Sequence, residues 1–176
     1  MGEFRRWPEP RTQDIAGMFR HAGVPCVVTD NLERAHWQKL VWNIPFNGLG
    51  VAAVAGYAAL AAGHASPITH SQSVLPTDQL LDDPLWCLLI RELMLEIIVT
   101  ANTKGLKIDP GYADDQIERT RTMGAYRAST LIDFERGQPL ELESLFLEPL
   151  RQAQAAGVPT PRLAALCRVL AALNPA

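Results

Sequence analysis

The sequence is poor in cysteine and has no paired cysteine motif. It contains only Cys26, Cys87 and Cys167, which are far apart, odd in number and never arranged as C-x-x-C. Disulfide-stapled domains and structural zinc sites both depend on closely spaced cysteines, so this distribution argues against both classes. Such sparse cysteine content fits a protein of the reducing cytoplasm best.

The sequence also lacks a basic surplus and a set of clustered metal ligands. Its formal net charge is -3, whereas a polyanion binder normally carries an excess of lysine and arginine. We therefore expect no nucleic-acid partner. His64 and His70 have no carboxylate or cysteine at ligand spacing, so we expect no metal site either.

No secretory signal is evident at the N-terminus, where charged residues and two prolines replace the apolar stretch that export requires. Residues 40–77 contain no Asp, Glu, Lys or Arg, and the window 44–63 could be mistaken for a transmembrane span. Asn43, Pro45 and Asn47, together with an Ala/Gly-rich composition, favour a buried central helix instead. Under the membrane alternative, the chain would partition into detergent.

Capping residues and hydrophobic periodicity predict an all-α fold around a single core. Thr12 is expected to cap a short first helix, which Gly23 ends. Residues 24–28 are β-branched and brief, which suits an edge strand or an extended connector. Asp30 is expected to cap the next helix, and Pro45 should bend or restart that helix.

Small residues recur every fourth position at Gly48, Ala52 and Gly56, which predicts a central helix that another helix approaches closely. A Pro/Ser/Thr-rich loop is expected over residues 64–77. Further helices are predicted from capping residues and proline at their starts, near Asp83–Pro84, Asp109–Pro110, Ser129, Glu141 and Thr160–Pro161. The first of these is long, with a predicted buried stripe of Trp86, Leu89, Ile90, Leu93, Ile97 and Ala101.

The most informative segment is residues 37–47, because it spaces one amine and two amides four residues apart among apolar and aromatic side chains. Lys39, Asn43 and Asn47 would therefore share one helical face. An ammonium donor and two amides that both donate and accept hydrogen bonds suit a small, oxygen-rich ligand. The asparagines could instead only cap the backbone around Pro45.

A second segment places a hydroxyl and a carboxylate, Ser129 and Glu141, on either side of a short helix and a Gly/Pro turn. Both residue types also have ordinary structural uses. Ser129 is a natural N-cap for its helix, and a carboxylate such as Glu141 is favoured in the first turn of a helix. A ligand-binding role and a purely structural role therefore both stay open for these two residues.

Three ordered motifs together carry a resemblance to a known family. They are W-x-K-L-x-x-N-x-x-x-N from Trp37, S-x-L-x-D-x-x-x-G-x-P-x-E from Ser129, and G-V-P-T-P from Gly157. With this order and spacing, residues 24–173 resemble the C-terminal helical domain of the ketopantoate reductase (2-dehydropantoate 2-reductase) family. The resemblance implies an all-α multi-helix fold like the C-terminal domain of 6-phosphogluconate dehydrogenase-type reductases.

The resemblance also implies site residues and partners. Lys39 would be the general acid that protonates the ketone oxygen of a 2-keto acid as hydride arrives from NADPH. Asn43, Asn47 and Ser129 would bind substrate, and Glu141 would hydrogen-bond near the lysine and the substrate hydroxyl. Many family members carry Asn-Gly where this chain has Phe146 and Leu147, which leaves the identity of the 2-keto acid open. A homodimer is the expected assembly.

A nucleotide-binding domain is missing from the predicted organisation. No G-x-G-x-x-G fingerprint follows a strand, and the chain is too short to add a Rossmann domain to the helical one. We expect residues 1–30 to be an interdomain segment and residues 31–176 to be the substrate-binding and dimerisation domain. This chain alone would then be inactive. The alternative is a non-catalytic helical module that forms dimers or binds a small acid.

Overall fold

The protein is described from a computed structural model, and the description covers residues 1–62 and 73–174. His64, His70 and most of the predicted loop at 64–77 lie outside these ranges. The chain divides into two compact units, Met1–Lys39 and Leu40–Ala176. The division falls within a helix.

The all-α fold predicted from the sequence is confirmed: within the described ranges the chain forms nine α-helices and no strand. A 3₁₀ turn follows the second helix at Ala53–Ala55, and a π-helical turn, Glu143–Leu147, precedes the eighth. The helices are α1 Pro10–His21, α2 Leu32–Ala52, α3 Tyr57–Ala62, α4 Thr77–Asp82, α5 Pro84–Thr103, α6 Tyr112–Arg121, α7 Ser129–Glu135, α8 Glu148–Ala155 and α9 Pro161–Leu173. None of these helices is long and apolar enough to cross a membrane.

In the first unit, α1 begins before the residue predicted to cap it. Glu9 occupies the N-cap position and Pro10 opens the helix, because proline is pre-organised for the first helical position. The prediction that Thr12 caps α1 is therefore wrong. The Thr12 hydroxyl instead donates to the Glu3 carboxylate at 2.6 Å. Gly23, with a φ of 78°, follows the end of the helix as expected.

Residues 24–29 form neither a helix nor a strand, so the connector is the correct alternative. The Met1 ammonium donates to the Val27 carbonyl at 2.8 Å, and the Thr29 N–H donates to the Met1 carbonyl at 2.8 Å. The next helix is capped one residue later than predicted. Asn31 Oδ1 accepts the Arg34 N–H at 2.8 Å, whereas the prediction named Asp30.

Helix α2 continues through Pro45 without restarting. Proline inside a helix removes one backbone hydrogen bond and costs about 3 kcal/mol. Every residue from 44 to 54 is buried, so tertiary packing offsets that cost here. Burial around the whole circumference also makes this the central helix that the charge-free composition predicted.

The close approach predicted at the small residues of α2 is confirmed at Gly48. A Cβ atom there would lie 2.7 Å from Leu166 Cδ2 of α9 and 2.8 Å from Phe146 Cε1. Both distances are shorter than real van der Waals contacts, so a larger residue at this position would force the Leu166 and Phe146 side chains to shift. Gly56 serves a different purpose, because its φ of 81° ends the 3₁₀ turn.

Helix α5 follows the sequence prediction closely. Asp83 accepts the N–H of Leu85 at 2.8 Å and that of Trp86 at 3.4 Å, and Pro84 opens the helix. All six residues of the predicted stripe are buried. Helix α4 was not predicted, because its six residues carry too short a pattern to show periodicity.

Helix α9 starts at Pro161 as predicted, but its cap comes from another helix. Thr160 makes no side-chain cap bond. The Glu96 carboxylate of α5 accepts the N–H of Arg162 and of Leu163, each at 2.9 Å. Burial raises the pKa of Glu96, although these two bonds oppose the rise. A partly buried carboxylate therefore joins the N-terminus of α9 to α5.

Candidate functional site

Helix α2 is continuous over the three polar residues of the first motif. Lys39 is exposed and is the last residue of the first unit. Asn43 is half-buried, and Asn47 is only 3% exposed. The side chain of Asn47 is thus one of the few buried polar groups in the second unit, and its hydrogen bonds decide what it can do.

The structure brings Asn47 together with Ser129, a residue 82 positions further along the chain. The Ser129 hydroxyl donates to Asn47 Oδ1 at 3.3 Å. The Thr130 N–H donates to the same oxygen at 3.2 Å. Two of the three predicted motifs therefore meet at one amide oxygen.

The structure differs from the predicted capping roles of both residues: Ser129 does not cap α7, and Asn47 does. Ser129 is the first residue of α7, and Ala128 occupies the N-cap position without a side-chain bond. Asn47 supplies the missing acceptor, because the Thr130 N–H is one of the donors that a helix start leaves without an intrahelical partner. Asn47 thus caps α7 from α2 and does not cap the backbone around Pro45. The N–H donors of its amide take no part in these contacts.

An aromatic cluster, which the sequence prediction missed, holds the segment that leads into α7. Trp42 packs on Phe46 with ring centroids 5.1 Å apart, and meets Tyr126 edge-on at 6.0 Å. Its indole N–H donates to Thr120 Oγ1 at 2.8 Å. The sequence did contain a signal for this cluster, because Trp42 and Phe46 both lie in the segment 37–47. Their contacts with Thr120 and Tyr126 could not be predicted, since only the fold brings these residues together.

The same segment is held from a second side by Thr77, the first residue of α4. The Thr77 hydroxyl donates to the Gly124 carbonyl at 2.8 Å, and the Thr77 N–H donates to the Tyr126 carbonyl at 3.1 Å. These contacts fix the backbone just before Ser129. The hydroxyl of Ser129 is consequently positioned by three elements, although its residue is exposed.

Glu141 is exposed, directly before the helical segment that leads to α8. Among the described residues its carboxylate makes no hydrogen bond or ion pair, so the structure does not join it to Asn47 or Ser129. The π-helical turn that follows interrupts the single helix predicted over residues 141–156. Pro149 has no N–H to donate to the carbonyl of Leu145, which explains the local widening.

Metal sites in proteins are built from clustered His, Cys, Asp and Glu side chains. In the part of the chain that the structure describes, no group of three or more is arranged to hold a metal ion. The polar groups near Asn47 are instead amides and a hydroxyl. Such groups recognise neutral or anionic oxygen-rich ligands by hydrogen bonding.

Comparison with known proteins adds independent information. Residues 72–174 match the family model described as "Ketopantoate reductase PanE/ApbA C terminal". The chain is 32% identical over 164 residues to a 2-dehydropantoate 2-reductase of Nostoc sp., covering 93% of this chain and 45% of that protein. The chain thus spans about half the length of the curated relatives that it matches.

Solved structures give the same result. The crystal structure of 2-dehydropantoate 2-reductase from Geobacter metallireducens matches with 40% identity and a TM-score of 0.77, over 93% of this chain and 48% of that one. The enzyme from Methylococcus capsulatus matches with 27% identity and a TM-score of 0.79, over 98% and 49%. Similarity in sequence and in fold therefore extends over nearly all of this chain.

Proposed function

The chain belongs to the ketopantoate reductase family, as its C-terminal domain, and from this premise we propose that it is the substrate-binding and catalytic part of an NADPH-dependent 2-dehydropantoate 2-reductase. The reaction is the reduction of ketopantoate to pantoate in pantothenate biosynthesis. The observation that carries the proposal is the hydrogen bond between Asn47 and Ser129, because it unites two motifs that the family resemblance assigns to substrate.

Lys39 is the proton donor in this proposal. NADPH, when bound, supplies the hydride that reduces the ketone carbon. The Lys39 ammonium gives its proton to the ketone oxygen, which becomes the hydroxyl of the product. General acid catalysis of this kind contributes about 10²–10⁴-fold to a rate. The exposed position of Lys39 leaves its ammonium accessible to a ligand.

The hydrogen bonds of Asn47 and Ser129 determine which of their polar atoms can donate to substrate and which can accept from it. Asn47 Oδ1 is occupied by α7, so its N–H groups are the part that can donate to a substrate carboxylate or hydroxyl oxygen. The Ser129 hydroxyl uses its proton toward Asn47 and keeps lone pairs that can accept from a substrate hydroxyl. Asn43, one turn before Asn47 on α2, adds a second amide, and Glu141 adds an acceptor for the substrate hydroxyl.

A nucleotide-binding domain completes the enzyme in our proposal. The sequence contains no Gly-rich dinucleotide fingerprint, so the principal NADPH site belongs to a Rossmann domain in the full-length protein. Residues 1–30 connect that domain to the helical domain of residues 31–176. Several large apolar side chains of the first unit are strongly exposed, including Trp7 at 76%, Met18 at 72% and Val27 at 80%. In our proposal the Rossmann domain covers some of these side chains, because contiguous exposed apolar surface marks an interaction site.

The isolated chain is then inactive as a reductase, yet it retains substrate-binding groups. We also assign it to the reducing cytoplasm, since all three cysteines are free thiols, and to a homodimer. A non-catalytic module that binds a small acid or only forms dimers is the second candidate. The observation that favours this second candidate is the cap that Asn47 gives to α7, because that contact stabilises the fold without any substrate.

Calorimetric titration of the chain with pantoate tests the proposal. Pantoate should bind, and Ser129→Ala and Asn43→Ala should each weaken binding. Ser144→Ala is the matched control, because Ser144 is also exposed and lies outside the motifs. Unchanged affinity in both site variants, or no heat of binding at all, would contradict the substrate assignment.

A further inference from the structure

Residues 75–77 connect α2 with the residues that lead into α7. At one end of this bridging segment, the Leu75 N–H donates to the Gly50 carbonyl of α2 at 3.0 Å. At the other end, the Thr77 N–H donates to the Tyr126 carbonyl at 3.1 Å. The bridging segment therefore links the two helices that carry Asn47 and Ser129, without containing either residue.

Gly50 allows the bridging segment to lie close to α2. A Cβ atom at this position would lie 2.9 Å from the Leu75 carbonyl oxygen and 3.1 Å from Leu131 Cδ1 of α7. The first contact is with backbone, which cannot turn away as the end of a flexible side chain can. The lack of a side chain at Gly50 thus determines how closely both the bridging segment and α7 approach α2.

Thr77 fixes the turn that precedes α7. It is 1% exposed, and its hydroxyl donates to the Gly124 carbonyl at 2.8 Å. The same carbonyl accepts the Tyr126 N–H at 2.8 Å, and Gly124 has a φ of 63°. Thr77 therefore binds a tight turn at two neighbouring carbonyls, one through its hydroxyl and one through its N–H.

These contacts form a closed circuit that begins and ends on α2. The circuit runs from Gly50 through the bridging segment to Tyr126, and then over three residues to Ser129. It returns to α2 through the hydrogen bond from Ser129 to Asn47. Asn47 and Gly50 are three residues apart and share one face of α2, so a single helix positions Ser129 from two directions.

The direct contact with Asn47 is too weak to position Ser129 by itself. The Ser129 hydroxyl lies 3.3 Å from Asn47 Oδ1, whereas O–H···O hydrogen bonds in proteins usually span about 2.5–3.0 Å. A working site holds its groups within about 0.5 Å of the productive geometry. The position of the Ser129 hydroxyl therefore depends on the backbone contacts before and after it, including those of Thr77.

We propose that Thr77 and Gly50 are positioning residues of the substrate site, which act through the bridging segment on the Ser129 hydroxyl. This inference rests on the proposed function, because it takes substrate as the ligand of Ser129. When the bridging segment is loosened, the hydroxyl moves away from Asn47. Affinity for substrate then falls while the helices stay folded.

Calorimetric titration with pantoate tests Thr77. Thr77→Val should weaken binding at least about 5-fold, as loss of one hydrogen bond to substrate does, and Thr77→Ser, which keeps the hydroxyl, should restore it. Thr100→Val is the matched control, because Thr100 is also 1% exposed and its hydroxyl also donates to a backbone carbonyl at 2.8 Å. Unchanged affinity in Thr77→Val, or an equal loss in Thr100→Val, would overturn the proposal.

A double-mutant cycle tests whether Thr77 acts through Ser129. In a Ser129→Ala chain, Thr77→Val should cause no further loss of affinity, because the group that Thr77 positions is absent. An additive loss would mean that Thr77 affects binding by another route, and would contradict the proposed role. Circular dichroism checks that every variant in the cycle is folded.

Gly50→Ala tests the other end of the bridging segment without removing a hydrogen-bonding group. The added methyl group should displace Leu75 and weaken pantoate binding, even though alanine favours a helix more than glycine does. Gly17→Ala is the matched control, because Gly17 also lies in a helix but a Cβ atom there meets nothing within 4 Å. A Gly50→Ala chain that binds pantoate as tightly as the unchanged chain would contradict the role of Gly50.

Amide hydrogen exchange separates a failure of this inference from a failure of the proposed function. The Thr130 N–H donates to Asn47 Oδ1, so Thr77→Val should raise its exchange rate at least about 5-fold, and Thr100→Val should not. If the unchanged chain does not bind pantoate, the substrate assignment is wrong, and the Thr130 exchange rate still decides whether Thr77 positions the start of α7. An unchanged rate in Thr77→Val would overturn the inference in either case.

Discussion

The two units of the chain distribute their apolar residues in opposite ways. Helix α1 of the first unit buries only Thr12 and Ala16 among its 12 residues, while Met18 is 72% exposed. Helix α9 of the second unit buries seven of its 13 residues, from Leu163 to Leu173. The second unit therefore has a core of its own, whereas α1 of the first unit leaves Ile15, Met18 and Phe19 exposed.

The largest expected effect is a difference in unfolding free energy between a variant in the second unit and a variant in the first. Phe146→Ala should lower the free energy of unfolding by about 3–5 kcal/mol, because a fully buried ring leaves a cavity against Gly48. Met18→Ala should change it by less than about 0.5 kcal/mol, since most of that side chain already contacts water. Urea unfolding followed by circular dichroism measures both. Equal losses would mean that the first unit has a buried core as well.

The next largest effect concerns catalysis in the complete two-domain protein. Lys39→Ala should lower turnover at least about 10²-fold, because the ketone oxygen loses its proton donor. Lys39→Arg should not restore turnover, since a guanidinium does not release its proton at neutral pH. Lys104→Ala controls for the general loss of a lysine charge. Normal turnover in Lys39→Ala would show that Lys39 is not the general acid.

A smaller effect tests the second unit at Asn47. Asn47→Ala leaves the Thr130 N–H without its acceptor, and an unsatisfied buried donor costs about 1–3 kcal/mol. Asn43→Ala should have little effect on stability, because Asn43 makes no side-chain hydrogen bond to other described residues. Thermal unfolding compares the two. If both variants lose the same stability, the hydrogen bond between Asn47 and the Thr130 N–H does not stabilise the fold.

The smallest expected effect is a difference in pH dependence between the units. Hydrogen bonds from Arg11 and Thr12 lower the pKa of Glu3 from 4.5 to about 2, so its stabilisation is present above pH 4.5 and is lost as the pH falls toward 2. Burial raises the pKa of Glu96 above 4.5. Between pH 4.5 and this raised pKa, the Glu96 carboxyl is protonated in the folded state and ionised in the unfolded state. The contribution of Glu96 to stability therefore declines as the pH rises through this range.

Two variants separate these opposite trends. Glu3→Gln should flatten the acid side of the stability profile, and Glu96→Gln should remove the decline above pH 4.5. Unfolding free energies measured across this pH range give both slopes. A Glu96→Gln profile that still declines in the same way would show that another group causes the dependence.

Local signals were enough to predict the parts of the fold that depend on neighbouring residues. Asp83 and Pro84 define the start of α5, and its apolar period defines the buried face. Thr12 failed as a cap because its hydroxyl bonds to Glu3, nine residues away. Of the two effects predicted for Pro45, a bend or a restart, the restart does not occur, because burial on all sides outweighs a local preference.

The candidate site was predictable in its members but not in its contacts. The motifs named Asn47 and Ser129, and the structure joins them. That Asn47 caps α7, and that Glu96 caps α9, could not be read from spacing, since each cap comes from a distant helix. Pro149 did offer a sequence signal near the π-helical turn, because it lacks the N–H that would donate to the carbonyl of Leu145.

The most direct test of the account is to supply a nucleotide-binding domain. The N-terminal half of the 40% identical Geobacter relative can be fused before Met1, and NADPH oxidation measured with ketopantoate. We predict turnover that depends on Lys39 and is absent from the unfused chain. A folded fusion that binds NADPH and pantoate but does not turn over would contradict the proposal that this domain carries the catalytic groups.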